Sequence, residues 1–140
     1  MTAYCDSSVI LRILFGEPKR LAEWDAIPLV TTSMLTRLEC ARTLDRVRLM
    51  GLIDLDAAGL RLPAVERLLG GAHTIELSSE LLTRAAAPLP VPLGTLDAIH
   101  LSSALRWKED HPEHEFVMAT HDRALGRAAR IMGLTVIGTD

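Results

Sequence analysis

A chain of 140 residues and 15.3 kDa with 49% apolar and 24% charged residues has the size and composition of one globular domain, which excludes disordered and collagenous classes. Its 15 Lys+Arg against 18 Asp+Glu give a net charge of -3, which excludes a protein held to nucleic acid by a broad basic field but allows a locally basic groove. The longest charge-free run, Ala85 to Leu96, is 12 residues with three prolines, short of the roughly 20 that span a membrane. Asp6 interrupts any signal-peptide pattern, so the expected compartment is the cytosol, and Cys5 and Cys40 are too few for a disulfide framework or a zinc cage.

In chain order, Ala3–Asp6 reads as a strand ending in an acid, followed by a helix capped by Ser7 or Ser8 and stopped near Gly16 and Pro18. Leu29–Thr32 is a second β-branched strand, after which Ser33 caps a long helix from Met34 to about Met50. The next helical region, Asp56 to Leu69, is kinked or split by Gly59 and Pro63. A strand at His73–Leu77, a helix at Ser79–Ala86 and the proline-rich loop Pro88–Pro92 follow. Gly94-Thr95 then opens a helix to about Lys108, with Ala98, Leu101 and Leu105 on one stripe and Thr95 as its expected cap. The chain closes with a strand at Phe116–Thr120, a helix at Arg123–Met132 and a strand at Leu134–Ile137.

Strand and helix alternate throughout, with no repeat, low-complexity tract or long linker, so residues 1–140 are read as one α/β domain with helices covering both faces of a mainly parallel sheet. In such folds ligands bind beyond the carboxyl ends of the strands. Asp6 and Asp122 fall at that edge. Each has a plain reading as a helix cap, although Ser7 and Ser8 are available to relieve Asp6 of that task. Asp97 lies in the first turn of its helix, where an acid meets the positive end of the dipole. Glu39 shares a stripe with Arg42 and Arg46, which predicts a surface ion pair. Taken together, acids from four segments gathered at one edge would repel unless a cation neutralised them. Hard oxygen donors without imidazole or thiolate favour Mg²⁺ or Mn²⁺, ions suited to phosphate-ester chemistry.

The blocks Tyr4-Cys-Asp6-Ser7-Ser8-Val-Ile, Leu38-Glu39, Thr95-Leu-Asp97-Ala-Ile-His100-Leu-Ser-Ser-Ala104 and Ala119-Thr120-His-Asp122-Arg-Ala-Leu resemble the four acidic blocks of PIN-domain ribonucleases, specifically the VapC toxins of bacterial type II toxin–antitoxin pairs. They stand in the family's order across nearly the whole chain, the first and third being the most specific. The resemblance implies a three-layer α/β/α PIN fold with a central sheet of four to five strands. It also implies a metal-dependent endoribonuclease, a cognate antitoxin and a homodimer. The metal ligands would be Asp6, Glu39, Asp97 and Asp122; the last block varies in the family and sometimes carries Asn. One or two Mg²⁺ ions would activate water for in-line attack on RNA, leaving 5′-phosphate and 3′-hydroxyl ends. Ser7 and Thr120 adjoin the acids and are expected to orient ligands or water.

Thirteen of the basic residues are Arg, which suits phosphate forks and equally a GC-rich coding bias; Arg12, Arg42 and Arg123 lie nearest the acids in sequence. Cys5 and Cys40 read as core groups, with redox control as the alternative. His100 reads as a core residue, His121 as a substrate contact or solvated group, and His111–His114 as an exposed loop. Five Phe, Trp and Tyr residues do not make a stacking platform for single-stranded RNA. A haloacid-dehalogenase-type phosphatase needs an acid where Ser8 stands, and a receiver domain needs a late lysine that is absent. No Gly-rich phosphate loop, Gly-x-Ser-x-Gly or Cys-x-x-Cys occurs. The competing reading is an inactive PIN-like module that binds RNA or a protein partner. Without its four site acids the chain carries fourteen acids against 15 basic residues, so the -3 resides in the candidate site.

Overall fold

The computed structural model describes residues 1–139. Five strands, β1 (Thr2–Cys5), β2 (Leu29–Ser33), β3 (His73–Ile75), β4 (Phe116–Ala119) and β5 (Val136–Ile137), form one sheet in the order β3-β2-β1-β4-β5, every neighbour parallel. The helices are α1 (Ser7–Leu14), α2 (Met34–Leu49), α3 (Leu55–Ala58), α4 (Leu62–Leu69), α5 (Ser79–Ala85), α6 (Thr95–Asp110) and α7 (Arg123–Ile131).

Side-chain alternation along the central strands sorts the helices into two layers. Ala3 and Cys5 of β1 and Val117 and Ala119 of β4 pack with Val9 and Ile10 of α1, Cys40 and Leu44 of α2 and Val65 of α4. Tyr4, Phe116 and Met118 face the other way, onto Leu101, Leu105 and Trp107 of α6 and Leu125, Ala128 and Ala129 of α7. The expected three-layer α/β/α architecture is therefore present, with five strands.

Chain order fixes where the layers part. From β1 the sheet grows outward through β2 to β3, and the chain then returns to lay β4 on the opposite side of β1. This reversal lies between β1 and β4, whose register pairs Cys5 with Ala119, so the next residues, Asp6 and Thr120, emerge side by side at the carboxyl edge.

The predicted split of the third helical region occurs at Gly59, whose φ of 66° ends α3. Two predicted caps are corrected. Asp6 itself, with extended backbone, caps α1 by accepting from Val9 N–H at 3.2 Å, because it is the single residue between β1 and the helix. Gly94, not Thr95, occupies the cap position of α6, which has no side-chain cap bond. β3 and β5 are shorter than expected, as edge strands with one neighbour each, and a 3₁₀ turn at Trp24–Ala26 was not foreseen.

Candidate active site

Asp6 is 3% exposed, and its carboxylate is bound on all sides. Oδ1 accepts from the Ser8 hydroxyl at 2.5 Å and from Val9 N–H; Oδ2 accepts from the Thr120 hydroxyl at 2.6 Å. Thr120, fully buried, also accepts from Asp122 N–H at 3.0 Å, which ties the strand end to the next acid. Burial pushes the Asp6 carboxyl above its ordinary range, against the lowering effect of Ser8, Thr120, His100 and the Val9 amide. Thr120 thus has the orienting position expected of it. Ser7 does not: its neighbour Ser8 makes the bond, and Ser8 also accepts from His121 N–H at 2.9 Å. The helix begins at Ser7, so the first-turn residue that turns back toward the cap is Ser8.

Glu39 departs from its expected pairing. It meets His100, whose Nε2 lies 2.5 Å from Oε1, while Arg42 pairs with Asp45 and Arg46 reaches only Thr43. His100 is 1% exposed and its Nδ1 lies 2.8 Å from the Tyr4 hydroxyl. Burial holds the Tyr4 phenol well above its ordinary pKa, so it keeps its proton, and His100 bridges it to Glu39 through its two ring nitrogens. A chain of hydrogen bonds thus runs from β1 through α6 to α2 and joins the two helical layers at the sheet edge. The sequence classed His100 as a core residue, which is correct for its burial and missed its grip on Glu39. Its only signal was an i, i+3 spacing from Asp97 on α6.

Asp97 stands in the first turn of α6, half-buried. Its carboxyl is pushed up first by burial, then by the charges of Asp122, Asp6 and Glu39, against a lowering contribution from His100. Asp97 therefore feels the charge of the other three acids at this edge. Asp122 caps α7, accepting from Leu125 N–H at 2.8 Å, so its plain reading is also true.

Among the described residues, no three His, Cys, Asp or Glu side chains converge into a ready cation cage. The reason is visible in the bonds above: Asp6, Glu39 and Asp122 are each held by a cap or a neighbour. The donor set nonetheless fits a hard divalent ion. Magnesium keeps several waters and takes one or two carboxylates directly, and it needs no closed cage. The charge that lowers Asp6 and Asp97 comes from His100, not from a lysine or arginine.

Of the candidate arginines, Arg12 turns away, donating to the Lys19 carbonyl at 3.0 Å and pairing with Glu17. Arg42 and Arg46 line a groove of about 290 Å³ with Leu35, Leu38, Glu39 and Leu96. Arg123 is exposed beside Asp122. His121 lies half-buried with Nδ1 2.8 Å from the Gly138 carbonyl, and is therefore not simply solvated. Cys5 and Cys40 are buried free thiols; burial and the nearby acids push Cys40 up to about 12 and Cys5 higher, so neither offers a thiolate near neutral pH.

A parallel sheet with a reversal between β1 and β4 and an acid-lined carboxyl edge defines a recognisable class. The family model described as PIN domain matches residues 3–131. The crystal structure of PAE2754 from Pyrobaculum aerophilum has the same fold, with a TM-score of 0.64 at 20% identity, over 99% of this chain and 85% of that one. Ribonuclease VapC46 of Mycobacterium tuberculosis (strain ATCC 25618 / H37Rv) is 31% identical over 134 residues, which cover 96% of this chain and 95% of the relative. The chain belongs to the PIN-domain family as one of its VapC members.

Proposed function

We propose that this protein is a metal-dependent endoribonuclease acting as the toxin of a type II toxin–antitoxin pair, restrained by a cognate antitoxin. The 31% identity to a VapC ribonuclease along the whole chain supports the RNase reading. The observation that carries the chemistry is Asp97, whose carboxyl is raised by burial and by three neighbouring acids at the switch point of the sheet. Acids gathered in this way are what a divalent cation would neutralise.

Asp6, Glu39, Asp97 and Asp122 would hold Mg²⁺, or Mn²⁺ in its place. The ion, when bound, lowers the pKa of a coordinated water and offsets charge on the phosphodiester oxygens. The chain's own residues do the positioning. Ser8 and Thr120 keep the Asp6 carboxylate in one rotamer, with both oxygens oriented by hydroxyls. His100 fixes Glu39 through Oε1 and does not occupy Oε2. The first turn of α6, with no side-chain cap, leaves backbone N–H groups beside Asp97, where an incoming phosphate is favoured by the helix dipole. Cleavage in line with this arrangement leaves a 5′-phosphate and a 3′-hydroxyl.

A homodimer and cytoplasmic residence are part of the same proposal; among the described residues no helix is long and apolar enough to cross a membrane. Expression of the chain alone in a bacterium tests the reading. Growth arrest with a discrete cleaved RNA, both abolished by Asp97→Asn, is expected; unaffected growth and intact RNA would favour a binding module without activity. Calorimetric titration with Mn²⁺ separates the two readings independently, since binding that does not depend on Asp6 and Asp97 would count against the nuclease.

A further inference from the structure

The arginines divide into two groups. Among the described residues, eight of the thirteen pair with a carboxylate, including Arg12, Arg42, Arg84 and Arg106. Of the remaining five, three lie on α7: Arg123, Arg127 and Arg130, spaced i, i+4 and i+7 and all exposed. The opposite face of α7, Leu125, Gly126, Ala128 and Ala129, is buried in the core, so the three guanidinium groups share one outward stripe.

Nothing on α7 answers this charge. Arg123–Ile131 contains no acid, and among the described residues Arg130 donates to the Thr139 hydroxyl, at 2.8 Å, and to no carboxylate. Like charges four apart on a helix repel, and Arg123 sits in the first turn, where the helix dipole disfavours a cation. The stripe therefore costs helix stability with no partner within the described residues. It begins at Asp122, the acid that caps α7, and runs about 10 Å away from the site along the helix axis. One arginine per helical turn is close to one nucleotide step of an extended strand.

We propose that this face of α7 is a track for the phosphate backbone of the RNA substrate, with Arg123 and Arg127 each binding a phosphate on one side of the cleaved bond. The inference rests on the nuclease reading and adds to it the direction in which the strand leaves the acids. It also answers the overall charge of -3: the attraction is local to one helix, at the margin of a site that otherwise repels RNA.

The test is the salt dependence of binding to a fluorescein-labelled single-stranded RNA of mixed sequence, measured by anisotropy in an Asp97→Asn background. Each lost phosphate contact reduces the slope of log K against log salt by about 0.7. Arg123→Ala with Arg127→Ala is expected to reduce it by about 1.4, with the thermal midpoint unchanged or raised, since alanine relieves repulsion on an exposed helical face. Arg67→Ala, at another unpaired arginine on α4, is expected to leave the slope alone. An unchanged slope in the double variant overturns the proposal, as does an equal fall with Arg67→Ala, which would mean diffuse charge. An unchanged RNA slope with weakened binding of polyglutamate would assign the stripe to an acidic protein and overturn it too. If the Asp97→Asn protein does not bind RNA and the wild type does not cut it, the nuclease reading itself fails; cleavage with an unchanged slope removes only the track.

Discussion

Thr120→Val keeps the shape of a fully buried side chain and removes one hydroxyl that both donates to Asp6 Oδ2 at 2.6 Å and accepts from Asp122 N–H at 3.0 Å. A hydrogen bond to an ionised group contributes about 1.5–3 kcal/mol, and the orphaned N–H adds about 1 kcal/mol in a half-buried setting. The expected loss at pH 7 is therefore about 3 kcal/mol, a large fraction of the ~5–15 kcal/mol typical of a domain. Urea unfolding followed by circular dichroism would read this as a midpoint about 2 M lower, for a slope near 1.5 kcal/mol per M. The pH dependence carries a sign. Asp6 is raised in the folded state, so its contribution to stability is fully present below the ordinary aspartate value and is lost as pH rises through the raised one. Removing a hydroxyl that lowers this carboxyl raises it further and enlarges that loss. The gap between Thr120→Val and wild type should thus widen from about 1 kcal/mol near pH 4 to about 3 kcal/mol at pH 7. A gap below about 0.5 kcal/mol at both pH values would refute the claim that Thr120 supports an ionised Asp6.

Ser8→Ala should behave like a milder Thr120→Val, costing about 2 kcal/mol, whereas Ser7→Ala should stay within about 0.5 kcal/mol in the same unfolding assay. Asp97→Asn relieves repulsion among the acids and should raise the metal-free thermal midpoint by about 3 °C, roughly 1 kcal/mol, as read by calorimetry; a lowered midpoint would contradict the crowding of charge. His100→Gln should cut RNA cleavage about 10- to 100-fold by releasing Glu39, and an unchanged rate would leave His100 a packing residue. Gly138 has φ of 92° and a Cβ there would stand 2.7 Å from the Thr120 carbonyl, so Gly138→Ala should cost about 2–4 kcal/mol and weaken the Asp6 network.

The fold was legible because its determinants are periodic. The alternating Ala3, Tyr4, Cys5 and Phe116, Val117, Met118 distribute side chains to two faces, and Gly59 marks the helix break with its left-handed backbone. The acids were legible because topology alone sends residues after β1 and β4 to one edge. Their partners were not. Whether Ser7 or Ser8 reaches Asp6 depends on which residue takes the extended cap conformation, a difference of one position that composition cannot resolve. Glu39 pairs with a histidine 61 residues away instead of an arginine three residues on, because His100 and Tyr4 are brought to it by the packing of α6 on β1. Local spacing describes only the contacts within one helix. The arginine stripe on α7 was open to view in the sequence, but its lack of acidic partners among the described residues emerged only from the pattern of ion pairs.

The most direct test of a carboxylate-held cation acting on RNA is cleavage of a labelled RNA by purified protein with Mg²⁺, with EDTA, and with Mg²⁺ after Asp97→Asn. Discrete products bearing 5′-phosphates in the first case, and a loss of at least about 100-fold in the other two, are the results expected of these four acids. Cleavage that persists in EDTA, or in Asp97→Asn at the wild-type rate, would contradict them.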